Sequence, residues 1–136
     1  MEAGMRKLEL LPDGYAVCRL ESSAPIPHWA TRGAFFSVTR TPGELSVVCP
    51  DAQVPAGVKK ESGWRVLMVA GPLDFSLTGV LASLSAPLAR EGISIFALST
   101  YDTDYLLVKG DQLEKAVQVL REEGYDVDEG GGGIQR

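Results

Sequence analysis

The alternation of apolar and polar positions divides the chain into short, evenly spaced elements. Ile93–Ser99 and Tyr105–Val108 are apolar runs on either side of the polar segment Thr100-Tyr101-Asp102-Thr103-Asp104. β-Branched and aromatic residues favour a pleated surface, and the polar break is too short for a helix, so the pattern predicts two antiparallel strands with a tight connection. Trp64–Ala70, WRVLMVA, is nearly all apolar, as a central strand buried on both faces would be. Between these strands Leu77, Val80, Leu81, Leu84 and Leu88 recur at helical spacing. They predict a helix over Leu77–Glu91, with Ser76 as N-cap, Gly92 as stop and Pro87 bending its last turn. Ala82, Ser83, Ser85 and Ala86 make its other face small. Leu113, Ala116, Val117 and Leu120 form the stripe of a second helix over Asp111–Glu123. Asp111 and Glu114 resemble a capping box for it, and Gly124 ends it before a short strand, Tyr125–Asp128.

Upstream, the pattern is strand-rich. Residues 5–21 read as a hairpin turning at Pro12-Asp13-Gly14, and Phe35–Arg40 with Glu44–Cys49 as a second hairpin across Thr41-Pro42-Gly43. Ile26–Ala30 has room for one helical turn, and residues 50–63 for a turn followed by an extended piece. Residues 129–136, EGGGGIQR, read as a flexible tail. The order β-α-β-β-α-β over 64–128 gives an antiparallel sheet with both helices on one face. FFSVTRTPGELSVVC repeats the strand–turn–strand rhythm of ISIFALSTYDTDYLLVK, and an Asp follows both. The expected fold is therefore α+β, with two ferredoxin-like βαββαβ modules in tandem: a degenerate N-terminal half over 1–62 and a complete module over 63–128.

Composition narrows the function. The chain has 136 residues, 45% hydrophobic and 23% charged, which suits one compact domain or two very small ones. A net charge of −5 with scattered cations argues against nucleic acid. No apolar run reaches the roughly 18–20 residues of a membrane span. The N-terminal MEAGMRKLELLPDG lacks the apolar core of a signal peptide, so a cytoplasmic location is expected. Cys18, Cys49 and His28 cannot supply a four-ligand zinc site, and both cysteines read as small core residues. There is no Ser-His-Asp set, and the glycines of 130–133 lack the strand and helix of a phosphate loop. Neither catalysis, a metal nor a cofactor is expected.

Three segments carry a family resemblance: ALSTYDTDYLLV, the preceding GPLDFSLTGVLASLSAPLAREGI, and FFSVTRTPGELSVV upstream. Over roughly residues 34–123 the chain resembles the small bacterial ACT-domain proteins and the ACT modules of CASTOR-type cytosolic arginine sensors. The resemblance implies a tandem ACT-like protein that binds a small molecule, typically an amino acid, at an interface between paired modules, and so a homodimer. It implies ligand contacts from Asp74, Phe75 and Leu77, from Ser83 and Leu84, and from Thr100, Tyr101, Thr103 and Asp104. Leu77 stands where those sensors have a guanidinium-reading glutamate, and Asp74 where they have a small glycine. The resemblance therefore implies a binding region, and these two departures mean that it does not carry arginine specificity over with it.

The residues allow such a site on their own chemistry. A helix N-terminus near Leu77–Val80 offers unsatisfied N–H groups to a carboxylate, and Gly79 allows close approach. Asp104 or Asp102 could hold an ammonium, and Phe75 and Tyr101 could wall the side-chain pocket. The alternative is an assembly module that joins copies through its sheet and small-residue helix face, with no ligand.

Overall fold

The computed structural model describes residues 6–71 and 79–130. The predicted Ser76 cap, the first helical turn at Leu77 and most of the predicted tail lie outside these residues. Seven strands and two α-helices alternate along the chain: β1 (Lys7–Leu20), β2 (Ser37–Arg40), β3 (Leu45–Pro50), β4 (Lys59–Val69), α1 (Val80–Arg90), β5 (Ile95–Ser99), β6 (Asp104–Lys109), α2 (Leu113–Glu122) and β7 (Asp126–Asp128). They form two compact units, one of residues 13–64 and one of residues 1–12 with 65–136; β1 and β4 each contribute to both.

In the unit that contains both α-helices the strand order is β7-β1-β4-β6-β5. Leu84 and Leu88 of α1 and Ala116, Val117 and Leu120 of α2 pack with Leu8, Leu67, Val69, Leu106, Val108 and Val127 in a single core. Strand residues two apart share a sheet face, so both helices cover the same face, as the helical spacing predicts. Both helices also end as predicted. Gly92 (φ +74°) and Gly124 (φ +98°) are left-handed. In each case the following residue donates back into the last turn: Ile93 N–H to Leu88 O at 3.0 Å, and Tyr125 N–H to Leu120 O at 3.1 Å. The motif drives Ile93 and Tyr125 into the core.

Three local expectations are corrected. Lys7–Leu20 is one strand, in place of the hairpin expected over 5–21. The β1–β7 register ends at Glu9, and the β1–β3 register begins at Tyr15. Pro12 therefore lies in the gap between the β7 and β3 registers, where its missing N–H removes no bond to either of those strands, and its fixed φ suits an extended chain. Gly14 does not take the positive φ of a tight turn. The second correction follows from the first. The N-terminal end of β1 runs beside β4, with Ala70 N–H donating to Lys7 O at 2.9 Å, and separates β4 from β7. β7 pairs with β1 in parallel, so the sheet is not wholly antiparallel. Third, no side chain caps α2: a 3-10 turn, Gly110–Gln112, leads into it, and the Leu113 N–H donates to Gly110 O instead of to a capping-box acid.

In the unit of residues 13–64 the strand order is β2-β3-β1-β4. β2 and β3 form the predicted hairpin, with Thr39 opposite Ser46. Its turn is closed by Thr41, whose N–H donates to Glu44 O at 2.9 Å and whose Oγ1 accepts from the N–H groups of Gly43 and Glu44, each at 3.2 Å. Two 3-10 turns, His28–Thr31 and Asp51–Gln53, stand where longer helices would fit. The buried members of the core cluster there are small, Ala16, Cys18, Ala30, Val47 and Cys49, with Leu20, Trp29, Val38, Val54 and Val58 partly buried against them.

Candidate functional site

The β5–β6 connection is tight because its threonines bond within it. β5 and β6 pair from Ile95 opposite Val108 to Ser99 opposite Asp104. Across the tip, Thr100 N–H donates to Thr103 O at 2.8 Å, and the Thr100 hydroxyl donates to the same carbonyl at 3.2 Å. The Thr103 N–H donates to Thr100 Oγ1 at 3.3 Å. These bonds satisfy the Thr100 N–H, the Thr103 N–H and the Thr103 carbonyl, two of the three bonds using the Thr100 hydroxyl, which an apolar side chain would lack.

Of the ten residues predicted to bind ligand, four lie in or beside this turn. Tyr101 is 80% exposed at the tip. Asp104 begins β6, and its Oδ1 accepts the Ser99 hydroxyl at 2.6 Å, a short, charge-assisted bond that fixes the carboxylate. Thr100 closes the turn as described. Thr103 is buried, and its hydroxyl donates to Val69 O at 2.6 Å. That bond places the turn against the C-terminal end of β4, the point from which the chain leaves toward α1.

The other predicted residues fall elsewhere. Gly79 is the residue before α1, with φ +78° and ψ 0°, and its carbonyl accepts the Ser83 N–H at 2.8 Å. A Cβ there would meet nothing within 4 Å, so the glycine is required by its backbone angle and not by crowding. Ser83 lies on the exposed side of α1. Its hydroxyl donates to Val80 O at 2.9 Å and is hydrogen-bonded to the Tyr125 hydroxyl. Leu84 is fully buried in the core. Asp74, Phe75 and Leu77 lie outside the described residues.

Sequence reading missed two groups: the Val69 carbonyl that receives Thr103, and Tyr125, the partner of Ser83. A buried tyrosine needs a partner for its hydroxyl, but nothing in the spacing of the chain names that partner. Two clefts are lined by other residues. One, of about 730 Å³, runs along α2 past Leu113, Val117, Arg121 and Glu129; the other, of about 400 Å³, lies beside Asp13, Gly33, Asp51 and Gln53. Among the described residues, no group of three or more His, Cys, Asp or Glu could hold a metal ion. No described helix is long and apolar enough to cross a membrane.

Among the described residues, the ionisable groups displaced from their ordinary range are in residues 13–64. Burial, then the neighbouring Cys49, pushes the Cys18 thiol up to about 11. Burial first, and then Asp51, also raises Cys49; burial and then Asp13 raise Tyr15. Burial pushes the Asp51 carboxyl upward, but hydrogen bonds from Lys60 and Ser62, the Lys60 charge and the Gly63 N–H outweigh it and hold Asp51 below its usual range.

Comparison with known proteins bears on the family and the fold. The ACT-domain family model matches residues 59–122, and a model described as an N-terminal domain matches residues 13–57. The chain is 33% identical over 114 residues to the human cytosolic arginine sensor for mTORC1 subunit 1, a match that covers 76% of this chain and 33% of the sensor. It thus spans about a third of the length of that curated relative. Among solved structures, protein Atu0741 from Agrobacterium tumefaciens superposes with a TM-score of 0.86 at 41% identity, over 90% of this chain and 92% of that one. The aspartate kinase of Clostridium acetobutylicum shares the fold alone, with a TM-score of 0.61 at 12% identity over 82% of this chain and 33% of the kinase. The chain belongs to the ACT-domain family and is related to the CASTOR-type arginine sensors.

Proposed function

We propose that the chain is a non-catalytic regulatory module that binds a small molecule, that the ligand is an amino acid, and that the β5–β6 turn forms one wall of its site. The observation that carries this reading is the placement of Asp104 and Tyr101 on a turn that Thr103 bonds to the end of β4. A fixed carboxylate at the edge of a sheet suits a ligand ammonium, and an exposed aromatic beside it suits an apolar side chain. The remaining contacts, from Asp74, Phe75, Leu77, Gly79 and Ser83, are part of the same proposal. Relationship to a protein named as an arginine sensor supports an amino-acid ligand.

The proposal includes two ACT-like modules in tandem: residues 1–62 as a degenerate half and 63–128 as the complete one. Two features support this. The order β2-β3-β1-β4 is the ferredoxin-like order for four successive strands, with 3-10 turns in place of helices. Each hairpin is also followed by a 3-10 turn containing an aspartate, Asp51 after β3 and Asp111 after β6. The module acts as a cytoplasmic homodimer in this reading. β5 ends the strand order of its unit, and an edge strand is a template for a second chain.

A thermal-shift screen of the twenty standard amino acids tests the reading. Stabilisation follows RT ln(1 + [L]/Kd), so a millimolar ligand of micromolar affinity adds about 4 kcal/mol. No shift with any of them at high concentration would sink the ligand. The second reading, a ligand-free assembly module, draws on the exposed small face of α1 at Ala82, Ser83 and Ala86. Asp104→Ala separates the two. It abolishes the ligand-induced shift in a folded chain under the first reading and can alter only the oligomeric state under the second.

A further inference from the structure

Among the described residues, the buried polar side chain is that of Thr103, at 6% exposed. A hydroxyl is not placed in an apolar environment without cost unless it is bonded. The Thr103 hydroxyl is bonded to a main-chain carbonyl 34 residues away in sequence, Val69 O, at 2.6 Å. The same residue uses its N–H and its carbonyl on Thr100. Every polar group of Thr103 therefore has a partner inside the protein, and the one proton its side chain can donate is committed to Val69 O.

We infer that Thr103 is the positioning residue of the proposed amino-acid site: it latches the β5–β6 turn to the end of β4, and thereby sets where Tyr101 and Asp104 stand. The inference rests on the reading of this turn as a binding wall, and it changes the role of Thr103 from ligand contact to support. β4 and β6 are neighbours in the sheet, and the Thr103 hydroxyl carries that contact one residue beyond the start of β6, into the turn. Val69 ends β4, and Ser99–Asp104 closes the β5–β6 ladder. When the hydroxyl is removed, β6 remains paired with β5 and β4, but the turn itself loses its side-chain bond to the end of β4. The methyl group of threonine fills apolar space, so valine at this position keeps the shape and deletes only the bond. Serine keeps the bond and deletes the methyl.

Hydrogen exchange of the full chain, read by mass at peptide resolution, tests the latch without any ligand. Thr103→Val is expected to accelerate exchange of the amides of residues 99–104 by about tenfold, the effect of one lost hydrogen bond. The amides of α2 should keep their rates, and Thr103→Ser should stay within about twofold of the unmodified chain in the same segment. Unchanged exchange in Thr103→Val would overturn the inference. So would a uniform acceleration across α1, α2 and β6, which would mark Thr103 as a packing residue only. In a second arm, each of the twenty standard amino acids serves as a probe in the thermal shift. Any that stabilises the unmodified chain should bind Thr103→Val about tenfold more weakly and Thr103→Ser nearly as well; equal binding to all three would overturn the positioning role. If none stabilises the unmodified chain, the amino-acid reading and the positioning of its site fall together, while the exchange arm still decides whether the latch exists.

Discussion

The two units build their cores in different ways. In one, α1 and α2 lay leucines on the sheet: Leu84, Leu88 and Leu120 meet Leu67, Leu106 and Leu8. In the other, two short 3-10 turns accompany a cluster of buried small residues, Ala16, Cys18, Ala30, Val47 and Cys49, against which Leu20 and Trp29 are only partly buried. A helix of ten or eleven residues presents three turns and keeps its axis far enough from the strands to hold large side chains. A single 3-10 turn has few side chains to send inward, and small residues suit the shallow space it covers. The helix-covered core has the greater apolar volume. The turn-covered core compensates with polar fastenings: Arg40 donates to Ser22 O and to Ala24 O, and Gln53 Nε2 donates to Trp29 O at 3.0 Å and Arg32 O at 3.1 Å.

The largest test of this contrast is Leu84→Ala. Removing a fully buried leucine costs about 2–5 kcal/mol, measured as a lower urea midpoint of the helical circular-dichroism signal. The matched change in the small core, Val47→Ala, is expected to cost about 1.5 kcal/mol at roughly 0.8 kcal/mol per buried methylene. If Val47→Ala proved as costly as Leu84→Ala, the contrast between a bulky core and a thin one would fail.

The next effect is alkaline. The Cys18 thiol is raised to about 11 from 9.0, so the folded chain holds a proton there that the unfolded chain releases. Its contribution is intact below pH 9 and is lost as pH rises from 9 toward 11. Urea midpoints should therefore fall over that interval, and Cys18→Ala should flatten the fall. An identical slope in the variant would mean that Cys18 is not responsible.

The smallest effect is at the acid end. Asp51 is held below its ordinary 3.8, so its contribution is intact above that pH and is lost as pH falls through the folded value. Asp51→Asn should reduce the dependence of stability on pH below 3.8 and leave the alkaline limb alone. Its ion pair with Lys60, at 3.1 Å, is partly exposed, and pairs of that kind contribute little.

Much of this fold was legible because helices and strands write their periods into the chain. The stripe Val80, Leu81, Leu84, Leu88 and the stripe Leu113, Ala116, Val117, Leu120 each became the inner face of a helix. Gly92 and Gly124 marked where those helices stop. The β5–β6 turn was readable for the same reason: a polar break five residues long between two apolar runs can be little else. Pro12-Asp13-Gly14 misled because a turn composition describes what the backbone tolerates locally, and an extended strand tolerates it too when neither β7 nor β3 demands a bond at the proline.

What the sequence determined by itself was the set of elements, their inward faces and the chemistry carried on the central turn. What only the tertiary structure decided was which strands became neighbours and which polar atoms met. β1 lies between β4 and β7, and the Thr103 hydroxyl finds the Val69 carbonyl. Periodicity is a property of a segment and follows from its own residues. A neighbour across a sheet, or a partner for a buried hydroxyl, is chosen by the competition of all segments to bury apolar surface and satisfy polar groups at once, and no single stretch of sequence contains that outcome.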